Sequence, residues 1–147
     1  MTLPELLAPA GNLEKLRVAL HYGADAVYLG GRDFGLRQLA DNFSPAELAE
    51  AVAICHDQGA RAYLTVNSYL HNDDLERLPR FLDEVAATPF DAWIVADPGV
   101  LALVQERLPT ATIHLSTQAN TVNWRTARFW QELGVSRINL ARELSLD

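Results

Sequence analysis

Ala62-Tyr63-Leu64-Thr65-Val66 is a short apolar run, rich in aromatic and branched side chains. It is too short for a helix and reads as a buried strand. Its flanks decide the fold. Upstream, Ser44-Pro45-Ala46-Glu47 is a helix start, with a serine cap, proline at the first helical position and a glutamate placed to reach back to the cap. Leu48, Val52 and Cys55 then recur on one face. Downstream, Asp73-Asp74-Leu75-Glu76 reads as a second capping box, and Leu75, Leu78, Leu82 and Val85 follow on one face. Pro79 marks a point where that helix kinks or restarts. A strand between two helices needs a crossover on each side, and helix-length crossovers join parallel strands.

The same unit repeats in both directions. Strands are expected at residues 5–8, 26–29, 62–66, 92–95, 113–115 and 137–140. Asn12 caps a first helix carrying Leu13, Leu16 and Leu20, and Gly23 supplies its left-handed stop. Asp97-Pro98 opens a fourth helix with Leu101 and Val104 inward. A fifth spans about 123–133, with Phe129, Trp130 and Leu133 inward and Gly134 as its stop. The expectation is a single α/β domain over residues 1–147, with about six strands and five helices in a parallel sheet with right-handed crossovers. Two closures fit: a doubly wound open sheet, or an incomplete (β/α)8 TIM-type barrel. Ala8-Pro9-Ala10-Gly11-Asn12 follows the first strand where a dinucleotide-binding fold would carry G-x-G-x-x-G.

The bulk numbers narrow the function classes. With 49% hydrophobic residues in 147, the chain can build a sizeable core. A formal charge of -7 argues against this segment being the main phosphate-binding face of a nucleic-acid protein, while leaving room for a local basic patch. No apolar run approaches membrane-spanning length, and Met1-Thr2-Leu3-Pro4-Glu5 lacks the basic start of a secretory leader. A cytoplasmic protein without a membrane segment is expected. Cys55 is the only cysteine, so an intrachain disulfide and a local cysteine-based metal site are both ruled out. Its place on an apolar helix stripe suits a structural thiol.

In a parallel barrel, chemistry gathers where strands end and the next loops begin. That rule selects Asn67, Asp97, Ser116, Gln118, Asn120, Arg142 and Glu143, and also Arg37 in the loop after the second strand. Asp97 is equally well placed to cap the fourth helix. His114 and Ser116 share one strand face, which invites a Ser–His hydrolase reading. Neighbours on one face sit too far apart for ideal contact, however, and a histidine packed in the barrel interior is the simpler state. Gln118 and Asn120 can orient a ligand's polar edge or serve loop hydrogen bonding, and Asn67 can be a ligand contact or a turn residue. Arg37 and Arg142 suit a carboxylate or phosphate, although Arg142 can pair with Glu143 instead. Trp124 and Trp130 are most simply packing residues.

Further stretches carry a family resemblance. Pro4-Glu5-Leu6-Leu7-Ala8-Pro9-Ala10-Gly11 with Tyr22-Gly23-Ala24-Asp25-Ala26-Val27-Tyr28-Leu29-Gly30 resembles the opening of peptidase U32 proteins. Val66-Asn67, Ala96-Asp97-Pro98-Gly99, His114-Leu115-Ser116-Thr117-Gln118-Ala119-Asn120 and Leu140-Ala141-Arg142-Glu143-Leu144-Ser145-Leu146 match the same family in the same order. Members bear a collagenase-like peptidase label. The better-characterised branches are linked to hydroxylation without molecular oxygen, acting on a tRNA wobble uridine with prephenate, on an rRNA cytidine, or on the ubiquinone ring. Asp97-Pro98-Gly99 and Ala119-Asn120-Thr121-Val122-Asn123-Trp124 most resemble the tRNA branch.

The resemblance implies a 4Fe-4S cluster held by four cysteines, all beyond the Arg-Glu-Leu-Ser segment and therefore outside this chain. It further implies prephenate as co-substrate and tRNA as partner of the full-length protein. This chain, as the N-terminal portion, is expected to be inactive alone and to carry no cluster. The peptidase reading finds neither H-E-x-x-H nor G-x-S-x-G in this sequence. A barrel that stops after six strands exposes its edges, so self-association is expected as well.

Overall fold

The computed structural model describes residues 3–32, 34 and 42–145. Arg37 lies outside them. One six-stranded sheet runs in chain order, β1-β2-β3-β4-β5-β6, and every neighbouring pair is parallel. The strands are β1 (Leu7–Pro9), β2 (Ala26–Gly30), β3 (Arg61–Val66), β4 (Ala92–Val95), β5 (Ile113–Leu115) and β6 (Val135–Ile138). The helices are α1 (Leu13–His21), α2 (Pro45–Asp57), α3 (Asn72–Val85), α4 (Pro98–Arg107) and α5 (Trp124–Glu132), with a 3-10 turn at Thr117–Ala119 after β5. Sequential parallel order identifies an incomplete (β/α)8 barrel, since a doubly wound sheet would reverse its strand order at a switch point.

Strand alternation sorts the side chains into two populations. Val27, Leu29, Ala62, Leu64, Val66, Trp93, Val95, Ile113 and Leu115 pack outward in a single buried core with Leu16, Leu48, Val52, Leu78, Leu82 and Val104 of the helices. Ala26, Tyr63, Ala92 and Ile94 point the other way and gather with Leu7 and Tyr28 in a smaller inner cluster. The concave inner face is therefore lined by few and mixed side chains.

Local start signals act as the sequence reading expects at three helices. Asn12 accepts from Lys15 N at 2.9 Å. Ser44 and Glu47 form the reciprocal box, and Asp97 accepts from Gly99 N at 2.8 Å and Val100 N at 3.0 Å. The third helix differs. It begins earlier, with His71 in the cap position and the His71 N–H donating to Asp74 Oδ2 at 3.0 Å. Asp74 thus sits at the third helical position and takes the role assigned to Glu76. Pro79 lies inside an unbroken helix.

The end elements also shift. β1 starts at Leu7 and β6 at Val135, so the first strand lies later and the last earlier than the pattern suggests. Ile138 turns toward the helix layer and packs against its core. On α5 only Trp130 is buried, while Phe129 and Leu133 are exposed. That helix packs against β6.

Candidate functional site

The inner face divides into two storeys. In the lower one, Glu5, just before β1, accepts from Tyr63 Oη at 2.8 Å and from Arg61 Nη1 at 3.0 Å. It also pairs with Arg137 Nη1 of β6. A carboxylate before the first strand is thus tied to a guanidinium on the last, across the concave face. Burial acts to raise the Glu5 pKa, but hydrogen bonds from Arg137 and Tyr63 and the two positive charges outweigh it and hold the carboxyl below its usual range. His114 stands beside them with its ring edge-on to Tyr63, centroids 4.8 Å apart. It is buried at 6% exposure. Burial first, then the charge of Arg137, pushes its pKa down to about 4, so the imidazole is neutral near pH 7.

The upper storey is a cleft of about 350 Å³ at the C-terminal ends of the strands, lined among others by Tyr28, Thr65, Asn67, Ser116, Gln118, Asn139 and Arg142. Asn67, just after β3, donates through Nδ2 to Ser116 Oγ at 3.2 Å and to Gln118 Oε1 at 3.3 Å, and the Ser116 hydroxyl donates to Gln118 Oε1. These three side chains form one neutral polar cluster that bridges the ends of β3 and β5. Arg142 is the only cation among the described lining residues, and no carboxylate or imidazole lines the cleft there.

Of the residues selected from sequence, Asn67, Ser116, Gln118 and Arg142 come together in this cleft. His114 lies on the same strand face as Ser116 but one layer below, packed on Tyr63. Among the described residues the Ser116 hydroxyl is engaged by amides rather than by a base. Asp97 is exposed and caps α4, and it does not line the cleft. Asn120 is exposed in the left-handed region at φ 52 and ends the 3-10 turn, a conformation asparagine tolerates better than most residues. Glu143 is exposed outside the cleft, and no Arg142–Glu143 ion pair is present among the described residues.

Sequence reasoning missed Glu5, Arg61, Tyr63, Asn139 and Arg137. Asn139 could have been found by the rule that selected Asn67, once β6 is ended at Ile138. Arg137 is a charged residue inside a strand pattern, which is itself a signal of a buried partner.

A concave cleft at the C-terminal ends of parallel β/α units places the chain in the class of β/α-barrel proteins, whose ligands bind at that end of the strands. The comparisons are consistent with that class. A family model described as Peptidase family U32 matches residues 11–147. This chain belongs to peptidase family U32. It is 46% identical over 142 residues to tRNA hydroxylation protein P1 of Bacillus subtilis (strain 168), covering 97% of this chain and 34% of that protein. It is 45% identical over 147 residues to tRNA hydroxylation protein P of Escherichia coli (strain K12), covering 100% of this chain and 32% of that protein. The chain thus spans about a third of the length of these relatives. Among solved structures, the U32 peptidase Mk0906 aligns with a TM-score of 0.75 at 18% identity, covering 95% of this chain and 59% of that one, a likeness of fold.

Proposed function

We propose that this chain is the N-terminal part of a tRNA wobble-uridine hydroxylation protein that takes prephenate as co-substrate, with Arg142 receiving a carboxylate and Asn67, Ser116 and Gln118 orienting a polar edge. The observation that carries this reading is the donor set of the cleft: one guanidinium among neutral amides and hydroxyls. Such a set complements a carboxylate and an uncharged heterocycle edge. Similarity to relatives named for tRNA hydroxylation supports the same choice. Peptide hydrolysis finds less support, because Ser116 has amide partners and His114 packs on Tyr63; nucleophilic catalysis needs a base within reach of the hydroxyl.

The iron–sulfur cluster implied by the resemblance does not fit the residues of this chain. A 4Fe-4S cluster takes four thiolates, and Cys55 is the only cysteine. It is buried on α2, and burial, reinforced by the Asp91 carboxylate, pushes its thiol up to about 11. The proposal therefore assigns the cluster to a longer protein and the cleft to substrate positioning, in the cytoplasm. No helix among the described residues is long and apolar enough to cross a membrane.

Mass spectrometry of tRNA from a strain lacking the gene tests the reading. Hydroxylated uridine should disappear and return on complementation; unchanged levels would refute it.

The same proposal covers assembly. Among the described residues β1 and β6 each have one unpaired side, and Leu6 and Leu140 beside them are exposed. Open edges and exposed apolar residues favour association. Sedimentation of this chain at micromolar concentration should give a dimer or larger species. A single monomeric boundary without binding of a hydrophobic dye would count against it.

A further inference from the structure

Tyr69 follows β3 at the same end of the strands as the cleft, two positions after Asn67. It is 80% exposed, and among the described residues its ring and hydroxyl have no partner. The loop that carries it is nevertheless anchored on both sides. Ser68 is buried, and its N–H and hydroxyl both donate to the Phe34 carbonyl, at 3.3 and 2.9 Å. Leu70 packs against the main core. The backbone around Tyr69 is thus fixed, and the fixing turns the ring outward. An aromatic ring held in water by an anchored loop adds nothing to the core; it offers a flat apolar face with little entropy left to lose on contact.

We infer that Tyr69 is a stacking platform for the nucleotide adjoining the base held in the cleft, so that the protein recognises a single-stranded RNA segment rather than an isolated nucleotide. The inference rests on the functional reading above. Two peptide units place the Cα atoms of Asn67 and Tyr69 at most about 7 Å apart, within the reach of one step of a splayed strand. Proteins that recognise loops and single strands stack successive bases on exposed aromatics, and this works for any base because each has a π-face. Such contact needs no basic surface at that point, which suits a chain of formal charge -7. Tyr22 is a built-in control. It is also 80% exposed, but it follows α1 and precedes β2, which puts it at the opposite end of the strands.

The test is binding of a fluorescently labelled, uridine-containing single-stranded RNA oligonucleotide to the full-length protein, with thermal melting as a control for folding. Tyr69→Ala should weaken binding about tenfold or more, Tyr69→Phe should stay within about twofold of wild type, and Tyr22→Ala should match wild type. Wild-type affinity in Tyr69→Ala would overturn the inference and leave the functional reading standing. So would a Phe variant as weak as the Ala variant, since the hydroxyl would then be the contact. Loss of an unstructured peptide's binding in Tyr69→Ala without loss of RNA binding would assign the platform to a different partner and overturn it too. RNA binding absent from every form, wild type included, would overturn both the platform and the RNA reading it depends on.

Discussion

In the full-length protein of the proposed reading, Arg142→Ala is expected to lower substrate affinity or hydroxylation by about ten- to a hundredfold while leaving the melting temperature nearly unchanged. A hydrogen bond to a charged group contributes about 1.5–3 kcal/mol, and Arg142 is the only cation among the described residues that line the cleft. Its stability cost should be within about 0.5 kcal/mol, because the side chain is exposed and has no hydrogen bond or ion pair among the described residues. Lysine at this position should recover only part of the loss. It keeps the charge but not the planar fork that meets two oxygens at once. Parallel titrations of binding and thermal melts decide the matter. Activity that falls only in step with unfolding would assign Arg142 a structural role.

Much of the fold could be read from the chain because its signals are local. Ser44, Asn12 and Asp97 cap their helices through neighbours two or three residues away, and short apolar runs between such starts leave few topologies open. The choice between an open doubly wound sheet and a barrel could not be read in the same way. It depends on which strands are neighbours, and only the observed order supplies that. The helix α5 shows another limit. Its Phe129 and Leu133 fit an amphipathic pattern, yet they remain exposed because pattern marks a face that can be buried, not a wall that buries it.

The cleft was partly legible for a related reason. The end-of-strand rule finds Asn67, Ser116, Gln118 and Arg142 from position alone. It finds Asp97 and Asn120 equally, though their side chains and backbone serve the ends of local elements. Position selects a loop, and the last rotation of the backbone decides which side chains enter. The Glu5–Arg137 pair escaped entirely. Its partners are 132 residues apart, and although a charge inside the β6 pattern points to some partner, nothing local names Glu5 as that partner.

That lower storey gives the second large effect, which is on stability against pH. His114 falls from 6.5 to about 4 on folding, a difference worth about 3 kcal/mol. Its folded pKa is the lower one, so below 6.5 the unfolded chain takes up a proton that the folded chain resists. The stabilisation is therefore complete above about 6.5 and is lost progressively as pH falls toward 4. Glu5 adds to the loss at lower pH. Its folded pKa lies below the ordinary glutamate value, so its contribution is present above that value and fades as pH drops through the folded one. At about 2–4 °C per kcal/mol for a domain near this size, the melting temperature should fall by roughly 10 °C between pH 7 and pH 4. His114→Gln and His114→Leu each remove the titrating ring and should flatten the curve between pH 6.5 and 4.5. Both variants should keep the steeper decline below that range, where Glu5 still titrates. A wild-type curve that is level from pH 7 to 5, or His114 variants that reproduce its slope, would show that the imidazole is not held neutral against Tyr63 and Arg137.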